Sequence, residues 1–564
     1  MKKLINDPRQ IVRETLEGLV DLSPDLALLA DFNVIIRSNL PEAGKRAVAI
    51  ISGGGSGHEP AHAGYVGEGM LTAAVAGDVF TSPSVDAVLS AILAAAGPAG
   101  AVLIVKNYTG DRLNFGLAAE LARERGIPTE IVVVADDVAL KNTVARERWR
   151  GIAGTVFIHK IAGAAAADGK PLAEVAALAN AAAGDVVTMG VGLGACIVPT
   201  AGKAGFALGE NEIEFGLGIH GEKGVSREAM ASADAIVDRL VDAILDAAGD
   251  MNGRPLALLV NGLGATPPME LSIVARRALQ HLRGLGHDVR RAWAGDFMTA
   301  LEMPGCSLSL LPLDDTRMQL LDRPVSARAW PGGGIVEATR KVVAGPAIDQ
   351  EEFVEKGTAG PLASRMRAVI SAVAAALIEA EEKLTDLDSR AGDGDLGASM
   401  ERGARALQAL PDHAFHSPYL LLSSAAKRLR SAIAGSSGPF YATALMRASR
   451  SLQGKSEPDG ADWLEAFGEA VAAIPEIGGA KAGDRTMLDA LQPALDAWQA
   501  IPEDAANGWR AAAEAAETGA EATSKMRPGL GRASYLGDRA IGVPDGGAVA
   551  VTIWMRAILE SIAK

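Results

Sequence analysis

Ala47-Val48-Ala49-Ile50-Ile51-Ser52-Gly53-Gly54-Gly55-Ser56-Gly57-His58-Glu59-Pro60-Ala61-His62 is the stretch that decides the fold. Ala47–Ile51 is a short, continuous apolar run that stops at glycines. A half-buried strand would alternate apolar and polar residues; a continuous run suits a strand buried on both faces of a parallel α/β sheet. Glycines at its end let the backbone approach a ligand, at the edge where open α/β sheets bind. The pattern recurs at Ala101–Val105, Glu130–Val134, Val186–Met189, Ile213–Phe215 and Leu256–Val260, with glycines following in Gly190-Val191-Gly192, Gly216-Leu217-Gly218 and Asn261-Gly262. Helical stretches separate these runs. Residues 1–330 are therefore expected to form an α/β domain, in two lobes of about 1–183 and 184–330 divided near Ala182-Ala183-Gly184.

Past Trp330-Pro331-Gly332-Gly333-Gly334 the pattern changes. Residues 331–360 are rich in Gly and Pro and read as a linker. Beyond them Met366, Val369, Ile370, Val373, Leu377, Ala380 and Leu384 repeat at three and four residues, the period of an amphipathic helix. Further helical stretches are Pro418–Ser431, Trp463–Ala473, Thr486–Ile501, Trp509–Lys525 and Ala548–Ile562, so residues 361–564 are expected to be all-α. The 564 residues agree with three or four structural units of about 150 residues. A net charge of −15 with 23 aromatics (7 Trp, 5 Tyr, 11 Phe) offers neither the basic excess nor the stacking surface of a nucleic-acid binder. Two distant cysteines, Cys196 and Cys306, exclude a disulfide scaffold. Ala87–Val105 is uncharged, but Gly97-Pro98-Ala99-Gly100 breaks it into a helix, a turn and a strand rather than a membrane span. The N-terminus shows no apolar signal segment, so a soluble, cytoplasmic chain is expected.

Two motifs match famous signatures only in letters. His58-Glu59-Pro60-Ala61-His62 fits HExxH, yet glycines precede it and Pro60 interrupts it, whereas zinc binding needs both histidines on one continuous helix. Gly216-Leu217-Gly218-Ile219-His220-Gly221 fits GxGxxG, yet Gly221 and Gly224 delay any helix that would receive a pyrophosphate. Each leaves a histidine on a glycine-rich turn. Asp388-Ser389-Arg390-Ala391-Gly392-Asp393-Gly394-Asp395 carries three carboxylates on a loop, which repel unless a cation sits among them. Oxygen ligands favour Mg²⁺ or Ca²⁺, and Mg²⁺ commonly shares its shell with nucleotide phosphate. Gly435-Ser436-Ser437-Gly438-Pro439 offers backbone N–H groups that suit phosphate, or an ordinary turn.

Together these residues resemble the dihydroxyacetone kinase family. Gly53–Pro60, Gly77-Asp78-Val79-Phe80-Thr81-Ser82-Pro83, Lys106-Asn107-Tyr108-Thr109-Gly110-Asp111 and Gly218-Ile219-His220-Gly221-Glu222 resemble its substrate domain. Asp388, Asp393, Asp395, the GSSGP turn and Gly531-Arg532-Ala533-Ser534-Tyr535-Leu536-Gly537 resemble its nucleotide domain. The match spans essentially the whole chain, in the order of the single-chain, ATP-dependent branch. The resemblance implies an eight-helix barrel for the second half and a homodimer. It implies that His220 captures the C2 carbonyl of a small ketose as a hemiaminal, with Asp111 as general base and His58 assisting, and that Gly55, Ser56, Gly57 and Lys106 line the substrate pocket. Asp388, Asp393 and Asp395 would hold two Mg²⁺ ions against ATP. Leu396, Gly397, Ser399, Ser436, Ser437, Gly483, Met487, Arg532 and Asp545 would shape the nucleotide site.

Some positions depart from the family pattern. Lys223 stands where many relatives have proline, Leu396 and Ser399 where some split-chain relatives have His and Asn, and Ala442 where glycine is expected. Erythrulose kinases share the architecture, so the ketose stays open between dihydroxyacetone and erythrulose. A ketose-binding regulator without kinase activity is the non-enzymatic alternative; the three loop aspartates and the complete second half oppose it. FAD cyclisation is a side activity of some animal relatives.

Overall fold

The computed structural model describes residues 2–249, 251, 253–346 and 359–563. The chain divides into two compact units, Met1–Ala344 and Gly345–Lys564. Residues 347–358, inside the expected linker, lie outside the described residues.

The first unit holds two six-stranded sheets. Strands β1 (Leu26–Leu28), β2 (Val34–Arg37), β3 (Ala49–Ser56), β4 (Ala73–Val79), β5 (Ala101–Lys106) and β6 (Thr129–Val134) lie in the order β1-β2-β4-β3-β5-β6. Strands β7 (Val187–Gly192), β8 (Glu212–Phe215), β9 (Ser226–Ala229), β10 (Leu256–Gly262), β11 (Val289–Gly295) and β12 (Gly305–Pro312) lie in the order β11-β10-β12-β7-β8-β9. The expected parallel pairing is found for β4-β3-β5-β6 and for β10-β11. Every other pairing is antiparallel, so both sheets are mixed. Apolar runs report burial, and burial does not encode strand direction.

Helix Thr155–Ala167 explains how the two sheets become one unit. Twelve consecutive residues, Thr155–Ala166, are buried. Its Val156, Phe157 and Ile161 share one core with Val102 and Ile104 of the first sheet and with Ala257, Leu259 and Leu311 of the second. Gly163 permits this: a Cβ there would come within 2.3 Å of the Met70 backbone. The outer face of the first sheet is covered by helices Val85–Ala95 and Thr109–Glu124, that of the second by Ala233–Ala247 and Pro268–Gly284. The Ala182-Ala183-Gly184 break falls in the last turn of helix Leu172–Asp185, just before β7.

The second unit contains nine α-helices and no strand among the described residues. Eight of them, Ala363–Glu379, Leu396–Gln408, Pro418–Ala432, Ser437–Ser451, Gly460–Gly478, Leu488–Gln499, Ala505–Ala522 and Gly546–Ile562, each pack on the next, and the last returns to the first. This closed ring is the expected eight-helix barrel. The ninth helix, Glu381–Ala391, continues the first across Ala380 and delivers the acidic loop.

Candidate active site

In the first unit, β3 is buried at all eight positions and runs on through Gly53-Gly54-Gly55 to Ser56. The glycines are therefore part of the strand. A Cβ on Gly53 would meet the Val75 carbonyl oxygen at 2.3 Å, and one on Gly55 the Thr81 nitrogen at 2.6 Å, so the strand can only sit this close to its neighbour without side chains. The strand ends in Gly57 and His58. Backbone bonds from Leu301 to Gly57 (2.7 Å) and from Thr299 to His58 (3.2 Å) fasten that turn to the loop between β11 and β12.

His58 is fully buried and its Nδ1 donates to the Thr299 carbonyl at 2.8 Å. Its Nε2 lies 3.1 Å from Nε2 of His220, which is carried on the turn after β8 in the other sheet. Burial, with Lys106 and His220 nearby, holds His58 well below the usual histidine range, so it is neutral. The His220 ring is boxed by Phe80 (centroids 5.2 Å apart) and Tyr108 (4.6 Å). Lys106, the last residue of β5, is fully buried, and burial pulls its ammonium down against the opposing charges of Asp111 and Glu222. Its Nζ has no hydrogen-bond partner. Asp111, buried in the first turn of helix Thr109–Glu124, flanks Gly54 together with it: a Cβ there would lie 3.2 Å from Lys106 Nζ and 3.4 Å from Asp111 Oδ2. The structure thus brings His58, Lys106, Asp111 and His220 together, with Gly55, Ser56 and Gly57 on the strand beneath. Ser56 spends its hydroxyl on the Gly77 carbonyl at 2.7 Å. Lys223 is exposed on the His220 loop.

The two letter-matches resolve differently. His58 and His62 occupy a turn, not a helix, and face different partners: His62 Nδ1 lies 2.9 Å from His159 Nε2. No helix follows His220; the chain enters β9.

In the second unit, Asp388, Asp393 and Asp395 each offer an oxygen, all within 4.8 Å of one another. Asp388, in the last turn of helix Glu381–Ala391, accepts from the N–H groups of Asp395 (2.9 Å) and Leu396 (3.2 Å), which folds the loop back on itself. Clustered carboxylate oxygens, two of the three residues being exposed, form a donor set that fits a hard divalent cation. Asp545 caps helix Gly546–Ile562 through Ala548 N–H at 2.8 Å. Desolvation pushes its carboxyl up to about 6, against the pull of that bond and of Arg485 and with help from nearby Asp489 and Asp388. Leu396 and Gly397 open helix Leu396–Gln408. Ser399 is buried, its hydroxyl accepting from Arg402 at 2.9 Å. Met487 packs toward Gly547, and the Gly483 N–H donates to Asp489. Ser436 and Ser437 begin helix Ser437–Ser451, with Ala442 buried further along it. Arg532 starts the short segment Arg532–Ala540; its side chain lies outside the described atoms. Sequence reasoning singled out neither Glu222 beside His220 nor Arg150 and Thr299, which support the site from distant loops.

Residues 17–329 match the Dak1 domain family and residues 390–560 the DAK2 domain family. The chain is 43% identical over 575 residues to the triokinase/FMN cyclase of Homo sapiens, covering 99% of each. It is 36% identical over 580 residues to the D-erythrulose kinase of Mycolicibacterium smegmatis, covering 100% of this chain and 99% of that one. Its structure matches the dihydroxyacetone kinase of C. freundii, solved in complex with AMP-PNP and Mg²⁺, at a TM-score of 0.65 and 35% identity over 99% of both chains. A two-sheet α/β unit followed by a closed helical ring, matched along the whole chain by these proteins, is the arrangement of a kinase family. The chain belongs to the dihydroxyacetone kinase family, in its single-chain form.

Proposed function

We propose that the protein phosphorylates a terminal hydroxyl of a short ketose, dihydroxyacetone or erythrulose, at the expense of ATP, with the ketose held as a hemiaminal on His220. Residues 1–330 would form the ketose domain, 331–360 the linker and 361–564 the Mg-ATP domain. The observation that carries the reading is the 3.1 Å approach of two Nε2 atoms from different sheets, next to a buried lysine and a buried aspartate. His58, neutral with its hydrogen on Nδ1, keeps Nε2 as an acceptor for a substrate hydroxyl. As the His220 Nε2 lone pair forms the N–C bond, the C=O π pair moves to oxygen, which takes a proton from solvent water while the ring takes on the matching positive charge. An alcohol without a carbonyl cannot be captured, so the bond supplies selectivity as well as position. Asp111 is the acceptor for the proton of the attacking hydroxyl, and Lys106 balances its charge. Asp388, Asp393 and Asp395 would hold Mg²⁺, which when bound offsets charge on the phosphates. The relative named for D-erythrulose supports the four-carbon alternative of the same mechanism.

The test is intact mass spectrometry with dihydroxyacetone, joined to a coupled ADP assay. Wild type is expected to gain one ketone mass and His220→Ala none, with turnover falling in parallel. An unchanged adduct on His220→Ala would falsify the assignment. Initial rates across dihydroxyacetone and the erythrulose enantiomers then choose the substrate.

A further inference from the structure

We infer that Glu222, seated by Arg150, is the positioning residue that makes His220 a nucleophile; this rests on the capture reading above. His220 lies on a short turn in which Glu222 reaches back twice. Its Oε2 accepts from the His220 backbone N–H at 3.0 Å and its Oε1 lies 3.2 Å from the ring Nδ1. A carboxylate accepts and does not donate, so Nδ1 must carry the hydrogen. The neutral ring then presents its lone pair at Nε2, the atom that faces His58. A carboxylate behind the ring also balances the positive charge that the imidazole takes on once Nε2 is bonded to carbon.

The carboxylate is itself held in place. Burial works against its ionised form, but the hydrogen bonds from the His220 ring and from the turn's own backbone, with the Arg150 charge nearby, outweigh it and hold Glu222 at about 2. Arg150 is fixed by its own bonds to Asp137 Oδ2 (Nε, 2.7 Å) and to the Gly216 carbonyl (2.7 Å), the residue that opens the same turn. Gly218 shows how tightly the parts fit. A Cβ there would come within 2.0 Å of Glu222 Oε2 and 2.7 Å of an Arg150 guanidinium nitrogen. The glycine in this turn leaves room for the Glu222 carboxylate, with the Arg150 guanidinium nearby, rather than for a pyrophosphate.

The full-length chain with [2-¹³C]dihydroxyacetone tests this, the carbonyl resonance moving to the tetrahedral-carbon region on capture. Uniform ¹⁵N labelling of histidine, with His220 assigned by its loss in His220→Gln, reports which ring nitrogen bears the proton. Glu222→Gln is expected to lower adduct occupancy on the order of 10²-fold or more, as misassigning a tautomer does in other histidine sites, and to shift the His220 proton from Nδ1 to Nε2. Glu222→Asp is expected to recover part of the adduct and the original proton position. Gly218→Ala, which changes no titratable group, is expected to resemble Glu222→Gln. A wild-type calorimetric transition of the α/β unit in all three shows that the unit carrying the substitutions is folded. Wild-type adduct occupancy together with a wild-type ¹⁵N pattern in Glu222→Gln overturns the positioning role and leaves capture by His220 standing. Absence of adduct in wild type overturns the reading beneath it.

Discussion

The two sites handle charge in opposite ways. In the α/β unit the polar groups are sealed in. His58 and Lys106 are fully buried, Asp111 nearly so, and burial pushes the histidine and the lysine toward their neutral forms. In the helical unit Asp393 and Asp395 are exposed carboxylates on a loop with two like charges close by. A site of the first kind is assembled when the chain folds, with Lys106 Nζ left without a hydrogen-bond partner inside it. A site of the second kind is repulsive until a cation arrives. The difference fits a division of labour in which one unit controls the nucleophilicity of a ring nitrogen and the other collects a metal–phosphate complex.

The largest effect that bears on this contrast is expected at the exposed loop. Asp393→Ala removes one of three clustered oxygens. Mg-ATP affinity is expected to fall at least about 100-fold, since losing even an outer partner of a metal ligand costs 10–100-fold. Ketone adduct on His220 is expected to persist. Calorimetry that finds normal Mg-ATP affinity in this variant would remove the loop from the nucleotide site.

Acid sharpens the contrast next. His58, His62 and His159 are buried neutral in the α/β unit, with His159 held down at about 3 by burial and by Lys106. Unfolded histidine titrates near 6.5. Between about 3 and 6.5 the unfolded chain therefore binds protons that the folded chain does not, and stability falls as pH falls. The stabilisation is fully present above pH 6.5 and declines below it by roughly 1 kcal/mol per pH unit for each histidine. Scanning calorimetry of the whole chain at pH 7.5 and 5.5 is expected to lower the transition of the α/β unit more than that of the helical unit. Equal shifts of the two transitions would show that buried neutral histidines do not distinguish the units.

The same contrast explains what could be read from the sequence. The apolar run before Gly53 and the helical period from Met366 onward are local patterns, so the α/β-then-α order and the acidic loop were legible. β4 (Ala-Ala-Val-Ala-Gly-Asp-Val) and β12 (Gly-Cys-Ser-Leu-Ser-Leu-Leu-Pro) were not, because alanine, glycine and serine carry little strand signal, although both are sheet partners of central strands. Helix Ser437–Ser451 was hidden by the Gly-Ser-Ser-Gly-Pro that opens it, which reads as a turn until the proline is placed in the helix's first turn. In the exposed site the three loop aspartates stand within eight residues of sequence, so their clustering was visible. In the buried site Thr299 and Phe80 meet the histidines, and Arg150 reaches the His220 turn at Gly216, from three separate loops, only through the packing of two sheets. Periodicity carries no trace of such contacts.

The smallest effect separates the units at their helix ends. Helix Gly460–Gly478 begins with a reciprocal cap: Asp459 accepts from Asp462 N–H at 2.9 Å while Asp462 accepts from Asp459 N–H at 3.0 Å. Lys455 Nζ adds a bond to Asp462 at 2.6 Å. Helix Ala233–Ala247 of the α/β unit begins with a single cap from Ser232 to Ala235 N–H at 3.3 Å. Asp459→Ala removes the charged acceptor of the Asp462 N–H and leaves that group to water, while the backbone N–H at 459 can still donate to Asp462, at a cost of about 1 kcal/mol. Ser232→Ala loses one long bond, at about 0.5 kcal/mol. Urea unfolding followed by tryptophan fluorescence reads both, because Trp463 lies near the start of helix Gly460–Gly478 and Trp149 shares a core with helix Ala233–Ala247. The barrel helix is expected to be the more sensitive. Its neighbours on both sides in the ring depend on where it starts, whereas helix Ala233–Ala247 lies on one face of a sheet already held by its strand ladder. A larger loss from Ser232→Ala than from Asp459→Ala would mean that cap strength, here, does not follow the acceptor's charge and bond length.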